Sequence, residues 1–424
     1  MDREKSGVSM DPIVSDRLTG SVRAFHGVKD GFVILHSPPG CHSGLMYLRA
    51  LYDPSDVRLV FTCMHARHLV FGADYLALET IKYVYELFKP KFIALVDSAA
   101  PAMIGDDLDS VVKIARKQGV NCPIIHFCGA GFYSSMQEGY EDAAESLVQF
   151  MKKSSQESRT INLVGFHPDE PRHEQDLNEI RRILKAMGIK LNSVLVSSSF
   201  NKIRAAPKAS LNVVLGGEGF KLARRMEKEF GIPYIIVDYP YGLYGTEEFI
   251  QTICREFGRR IDDSFLSNEK SKIRRAVERT QFYLQGIYGL PCSIIGDTCK
   301  ATSLAKFLRS ELGFIVNFLV ITSKNYLYDD IIRNVGYVEN LLTEPDRFVM
   351  EGKLKESDSQ ILFGSTFDKR LANIMKIPLI RFSFPTIDYV ALTNAPYAGF
   401  RGVVKWIETI LNSILRKYHE VYEK

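Results

Sequence analysis

The stretch VILHSPPGCHSG (residues 33–44) runs an apolar strand into Pro38-Pro39-Gly40 and then sets Cys41 and His42 side by side. A strand needs only burial. The bend after it, stiffened by two prolines and freed by a glycine, presents the next residues beyond the sheet. An ionised thiol held there is a soft metal ligand; the plainer alternative is a small buried thiol. A second cysteine, Cys63 in FTCMHARH, also follows a strand pattern, with His65 and His68 three residues apart beside it. At helical spacing those imidazoles either face the same region or cap a helix, and a surface role is the expectation.

The seven cysteines stand at 41, 63, 122, 128, 254, 292 and 299, with no Cys-x-x-Cys pair. That pattern argues against a disulfide framework and against a zinc or ferredoxin-like module built from this chain alone. A reducing compartment is expected, and any metal must draw further ligands from elsewhere. No Gly-x-Gly-x-x-Gly or Gly-x-x-x-x-Gly-Lys-[Ser/Thr] follows a strand, so dinucleotide binding in the usual way and ATP hydrolysis by this chain are not expected. LGGEGF, after the strand at Leu211, reads as a tight turn.

The elements that must carry these residues alternate regularly. KFIALVDSAA, TINLVGF and CSIIGD each read as a buried strand, a glycine or polar turn, a helical-period segment and another strand. This alternation predicts parallel α/β sheets wound through right-handed crossovers. LNVVLGGEGFKLARRMEKEFGIPYIIVDYP, from Leu211, also resembles SQILFGSTFDKRLANIMKIPLIRFSFP, from Ser359. Two copies of one half-domain predict two related Rossmann-like domains, over 158–285 and 286–424. Residues 1–157 form a third α/β domain, with KKSSQESR (152–159) as linker. Ligands are expected at the carboxyl ends of strands.

Composition bounds the partners. With 424 residues, 46% hydrophobic and net charge +4, the chain has no basic excess for nucleic acid or an anionic membrane. No apolar run approaches the ~18 residues of a membrane span. The polar, acid-bearing N-terminus MDREKSGVSMDP is neither signal nor transit peptide, so a cytoplasmic location is expected.

Taken in order, the motifs resemble the nitrogenase component 1 family. The matching segments are HSPPGCHSG, LVFGADYLALETIKYV, AMIGDDLDSVV, FCGAGFYSSMQEGYEDA, GIPYIIVDYPYGLYGTEEFI, IIGDTCKATSLAKFL and IRFSFPTIDYVALTNAPYAGFRGVVKWIETI. The last is closer to β-type than α-type subunits. The resemblance implies the three-domain fold of that family and a cytoplasmic oxidoreductase subunit. It makes Cys41, after Gly40, one ligand of an interfacial [4Fe–4S] cluster, completed by thiolates of an α-like partner. It also implies an electron donor, a separate P-loop iron protein, and an α2β2 heterotetramer.

The chain departs from the family pattern in ways that matter. Asp16 stands where the family's earlier ligand cysteine lies, and Ala99 where the later one lies. An eight-iron cluster with its usual shell is therefore not expected. Asp16 is either a ligand, as in the family's protochlorophyllide reductase, or a helix cap. Cys63 has no ligand counterpart; in a homodimer, Cys41 and Cys63 from both chains would supply four thiolates. His42 is either a hydrogen-bonding neighbour of the cluster or a solvated turn residue. Asp106 and Asp107 are expected to cap a helix. Gly216 and the segment RFSFPTID replace the cysteine and histidine that hold the active-site cofactor in α subunits, so no such cofactor is expected there. Cys128 matches a family cysteine that is not a ligand, and Cys299 is expected to pack. The alternatives are a non-redox scaffold for cofactor assembly and a homodimeric tetrapyrrole reductase. N2, a tetrapyrrole, a thioether and a cofactor precursor all remain open as substrate.

Overall fold

The computed structural model describes residues 16–41, 56–132 and 134–422, with the side chains of the last five of these left aside. His42 lies outside the described residues. The chain opens with helix α1 (Arg17–His26) and strand β1 (Gly31–His36). Next come β2 (Leu59–Phe61), α2 (Ala66–Phe71), α3 (Asp74–Phe88), β3 (Phe92–Asp97), α4 (Ala99–Ile104), α5 (Leu108–Lys117), β4 (Ile124–Cys128) and α6 (Met136–Ser146). The four strands form one parallel sheet in the order β2-β1-β3-β4. β1 and β3 are buried along their whole length, as strands covered by helices on both faces must be.

A second parallel sheet, ordered β6-β5-β7-β8, is built from β5 (Glu157–Val164), α7 (His173–Ala186), β6 (Lys190–Val194), β7 (Ala209–Leu215), α8 (Phe220–Phe230) and β8 (Tyr234–Val237). Helices α9 (Gly242–Glu256) and α10 (Asp263–Glu278) lead to a third sheet. It contains β9 (Pro291–Gly296), α11 (Thr298–Leu312), β10 (Ile315–Ile321), β11 (Asn340–Thr343), β12 (Ile361–Gly364), α12 (Lys369–Met375) and β13 (Leu379–Arg381), ordered β11-β10-β9-β12-β13. The α/β alternation expected from the sequence is therefore present, in three parallel sheets. The repeated half-domain is topologically real: β7–α8–β8 and β12–α12–β13 each sit outside the first strand of their sheet, on the same side of the strand order. The expected linker is shorter than its composition suggests, because β5 already begins at Glu157.

The last helix, α13 (Gly399–Tyr422), touches β13 but is not confined to the third sheet. It packs on α7, α9 and α10 and brings Trp406 into a core shared by the second and third sheets. Trp406 is fully buried, stacks on Tyr397 at 4.2 Å and donates its Nε1–H to the Tyr397 carbonyl at 3.1 Å. A second core joins the first sheet to the second through Phe25, Phe92 and Phe200.

Where the second and third sheets face each other, Gly216 follows β7 with φ of +53°, and a Cβ there would fall 2.2 Å from Cys299 Sγ. Cys299 is buried in the core. We expect Gly216→Ala to lower stability by about 1–3 kcal/mol, through overpacking on top of a left-handed backbone. A fall in the urea midpoint with the native circular-dichroism spectrum retained would show this; an unchanged midpoint would count against the packing described.

Candidate functional site

In a parallel sheet every carboxyl end lies on one edge. Register aligns His36 with Asp97 and Asp97 with Cys128, so the loops after β2, β1, β3 and β4 come out side by side. That edge carries Cys63, Cys41, Ala99 and Cys128 in turn. Residues 39–41 are helical, opened by Pro39, whose missing N–H is no loss at a first turn. The Cys41 N–H donates to the Pro38 carbonyl at 3.1 Å, and Cys41, Cys63 and Cys128 are all exposed. A Cβ built on Gly40 meets nothing within 4 Å, so this glycine stands beside open space rather than against backbone. Cys63 adopts φ of +53°, an unusual conformation for a non-glycine residue.

Asp16 opens α1 at the same edge. Its Oδ1 accepts from the Thr19 N–H at 2.9 Å, a helix N-cap. Its neighbour Arg17 donates Nε–H to the Cys128 carbonyl at 3.0 Å and pairs with Asp142 at 2.7 Å. Asp97 accepts from the Gly129 N–H at 2.6 Å. His126 lies between Asp109 and Asp97; burial opposes its charge, but both carboxylates outweigh it and raise its pKa above the usual value. Burial, then Asp97, pushes the Cys128 thiol up, which disfavours the thiolate a metal requires.

Two expectations are corrected. His68 is not a surface residue: it is 4% exposed, its Nδ1 accepts from the His65 N–H at 2.8 Å, and its Nε2 accepts from Arg67 at 3.1 Å. Burial, then Arg67, lowers its pKa, consistent with a neutral imidazole. Asp106 is not a helix cap. Asp107 alone caps α5, accepting from the Ser110 N–H at 3.0 Å. Asp106 turns inward, and its Oδ2 accepts from His36 Nε2 at 3.1 Å. Sequence reasoning does not single out His36, although it opens the HSPPGC motif. The signal for it is general: a polar residue ending a buried strand must find partners.

Helices flanking this edge expose apolar side chains. On α2, Val70 and Phe71 are 75% and 86% exposed; on α4, Met103 is 74% exposed; after β4, Phe132 is 60% exposed. Exposed apolar side chains gathered on neighbouring helices are a feature of docking faces.

The crevices of the other two sheets are filled by the chain itself. Beside Gly216 stand Cys299 and Asn325, the latter donating to the Gly216 carbonyl at 2.6 Å. Glu218 accepts from Gln137 of α6 and from Asn325, after β10. Glu141 of α6 accepts from the N–H groups of Gly219 and Lys221 at 2.6 and 3.0 Å, capping α8 from another unit. Arg23 pairs with Asp169 at 2.6 Å and lies 3.8 Å over the Phe384 ring, within the segment RFSFPTID. Lys300 pairs with Glu170 at 3.1 Å. Gly216 itself offers no ligand side chain, and a Cβ there would already meet Cys299.

A family model for nitrogenase component 1 type oxidoreductases matches residues 17–415. The chain belongs to that family. It is 24% identical to the nitrogenase molybdenum-iron protein beta chain of Methanococcus maripaludis, over 99% of this chain and 97% of that one. It is 29% identical to the nitrogenase iron-molybdenum cofactor biosynthesis protein NifE of Clostridium pasteurianum, covering 92% and 86%. With one subunit of the light-independent protochlorophyllide reductase of Zygnema circumcarinatum it shares 24% identity, covering 93% and 81%. The solved structure of nitrogenase Cp1 at pH 6.5 superposes with a TM-score of 0.83 at 21% identity, covering 99% and 95% of the two chains. These relatives comprise a nitrogenase beta chain, a reductase subunit and a cofactor-biosynthesis protein.

For the iron–sulfur cluster this family implies, the donor set of the component 1 chain decides what fits. Among the described residues no group of three or more His, Cys, Asp or Glu side chains could hold a metal ion. Cys41, exposed on this edge, fits as a single ligand. Ala99 supplies none, and the Asp16 carboxylate is engaged by its own helix.

The buried junction makes stability depend on pH. Burial, then Glu218, pushes Glu141 up to about 8 from an ordinary 4.5. The folded chain thus keeps a proton that the unfolded chain releases, and this stabilisation is lost as pH rises from 4.5 towards 8. We expect the wild-type urea midpoint to fall across that window and Glu141→Gln to fall less steeply; equal slopes would overturn the assignment.

Proposed function

We propose that this chain is a β-like subunit of a nitrogenase-type oxidoreductase, contributing Cys41 to a [4Fe–4S] cluster shared with an α-like partner. The observation that carries this reading is Cys41, exposed on the carboxyl edge of the first sheet and flanked by the apolar side chains of α2 and α4. One thiol cannot hold a cluster, and an exposed apolar rim is unstable in water. A second chain seated on that rim answers both. When bound, the cluster would supply one-electron transfer. This chain's part is to hold the thiol on a stiff bend, exclude water through the apolar rim, and receive an ATP-dependent iron protein as electron donor. The substrate or cofactor precursor would then be bound mainly by the partner, because the crevices of this chain's second and third sheets are closed. An α2β2 heterotetramer follows from two such pairs. We place the three units at 1–157, 158–285 and 286–424, one for each sheet.

The absence of a cysteine at Ala99 and the similarity to a cofactor-biosynthesis protein favour, as second reading, a non-redox scaffold. A homodimer using Cys41 and Cys63, as in a tetrapyrrole reductase of the nickel-sirohydrochlorin type, requires a cluster with no partner. Cys63 and Asp16 remain candidate ligands in our reading only where a second copy or a partner rearranges the edge. Anaerobic co-expression with a neighbouring α-like subunit separates these. We expect Cys41→Ala to remove most of the cluster iron from the complex and to abolish the paramagnetic signal obtained with iron protein and ATP. Full iron content in the variant would overturn the assignment of Cys41. Iron without ATP-dependent reduction would mark the scaffold, and iron in the chain alone the homodimer.

A further inference from the structure

The loops after β1, β2 and β3 on the first sheet's working edge converge on one buried pair, His36 and Asp106. Their side chains are 0% and 3% exposed and meet at 3.1 Å. Burial lowers the His36 pKa, so the imidazole is neutral. Its Nε2–H must then donate to the Asp106 carboxylate, leaving Nδ1 to accept from the Thr62 hydroxyl at 3.0 Å. The Thr62 oxygen accepts in turn from the Ser37 N–H at 3.2 Å. Every donor in this chain of bonds has an acceptor, which fixes the tautomer.

The pair reaches each loop that matters. Ser37, one residue along from His36, accepts from the Met64 N–H at 3.0 Å, tying the Cys63 loop to the bend that carries Cys41. The Ser98 N–H donates to the His36 carbonyl at 3.1 Å just before α4, and Asp106 follows α4, so His36 brackets that helix at both ends. The second Asp106 oxygen accepts from the Ala73 N–H at 3.1 Å, two residues after the exposed Phe71 of α2. Asp74 returns the contact by accepting from the Asp107 backbone. Both helices that bear the exposed apolar rim are thus anchored through the carboxylate that holds His36.

We propose that His36 and Asp106 are positioning residues that couple the apolar rim of α2 and α4 to the placement of Cys41 and Cys63. A partner seated on the rim would shift or lock the thiols through this clasp, since a fully satisfied buried network has few alternative arrangements. The partner half rests on the function proposed above; the clasp itself does not.

The test is the rate at which each cysteine of the full chain is alkylated, read residue by residue by mass spectrometry. Asp106→Ala should change the labelling rates of Cys41 and Cys63 about threefold or more by altering their surroundings, since both thiols are already exposed and neither touches Asp106 in any bond described. Cys128, on the same edge but outside the clasp, and the buried Cys122, Cys254, Cys292 and Cys299 should stay within about twofold. Asp106→Asn should remain close to wild type, because the amide oxygen still accepts from Ala73 and His36 can take its other tautomer. Thr62→Val, which cuts the network on its far side, should reproduce the Asp106→Ala pattern and serves if that variant does not fold. Unchanged labelling of Cys41, or a joint rise at all seven cysteines, would reduce the pair to a structural contact and overturn the proposal. Wild-type chain that takes up no iron beside an α-like partner would end the functional reading, while the labelling pattern would still decide the clasp.

Discussion

Parallel strands leave all their carboxyl ends on one edge, and the chemistry of this molecule is confined by that rule. The four strands of the first sheet end within one register step of each other, so residues as far apart in sequence as Cys41, Cys63, Ala99 and Cys128 arrive side by side. The loops after them cannot be arranged independently. Each carries backbone donors and acceptors that must be satisfied next to its neighbours, and His36, Thr62, Asp97, Asp106 and Arg17 are among the side chains that do so. A cysteine placed on such an edge inherits the rigidity of the whole row.

The same rule applied to the other two sheets gives a different outcome. Their carboxyl ends face each other and the first unit, and the space between is closed by Cys299 against Gly216, by Glu218 bridging Gln137 and Asn325, and by Arg23 over Phe384. Buried charges are costly when left alone and tolerable when paired; here Arg23, Asp169, Glu170 and Lys300 neutralise one another across unit boundaries. The result is a junction that orients three sheets and leaves the first edge as the open one among the described residues.

Much of the fold was legible because its signals are local. Strand–turn–helix alternation and the copy relating Leu211 onwards to Ser359 onwards both depend on hydrophobic period and glycine placement. The bend expected at Pro38-Pro39-Gly40 is instead the start of a helical turn, residues 39–41. The short helix α4 was not legible, since AAPAMI has no amphipathic period; Ser98 before it and Asp106 after it are both bonded to His36. For His68 the helix-cap alternative, not the preferred surface role, is what the structure shows: it folds back onto the His65 N–H beside Tyr75, and its helical spacing left both open. Asp106 looked like a cap because two consecutive aspartates before a helix ordinarily offer one.

Taken alone, the sequence determined the order of strands and helices, the repeated half-domain and the thiol that follows the first strand, because each is written in runs of neighbouring residues. Only the tertiary structure decided that Asp106 turns inward to an imidazole 70 positions away, that Gly216 meets Cys299, and that α2 and α4 keep an apolar rim uncovered. Those outcomes follow from register between strands and from how the sheets dock. Such distances depend on every element between two residues, and no local pattern encodes them.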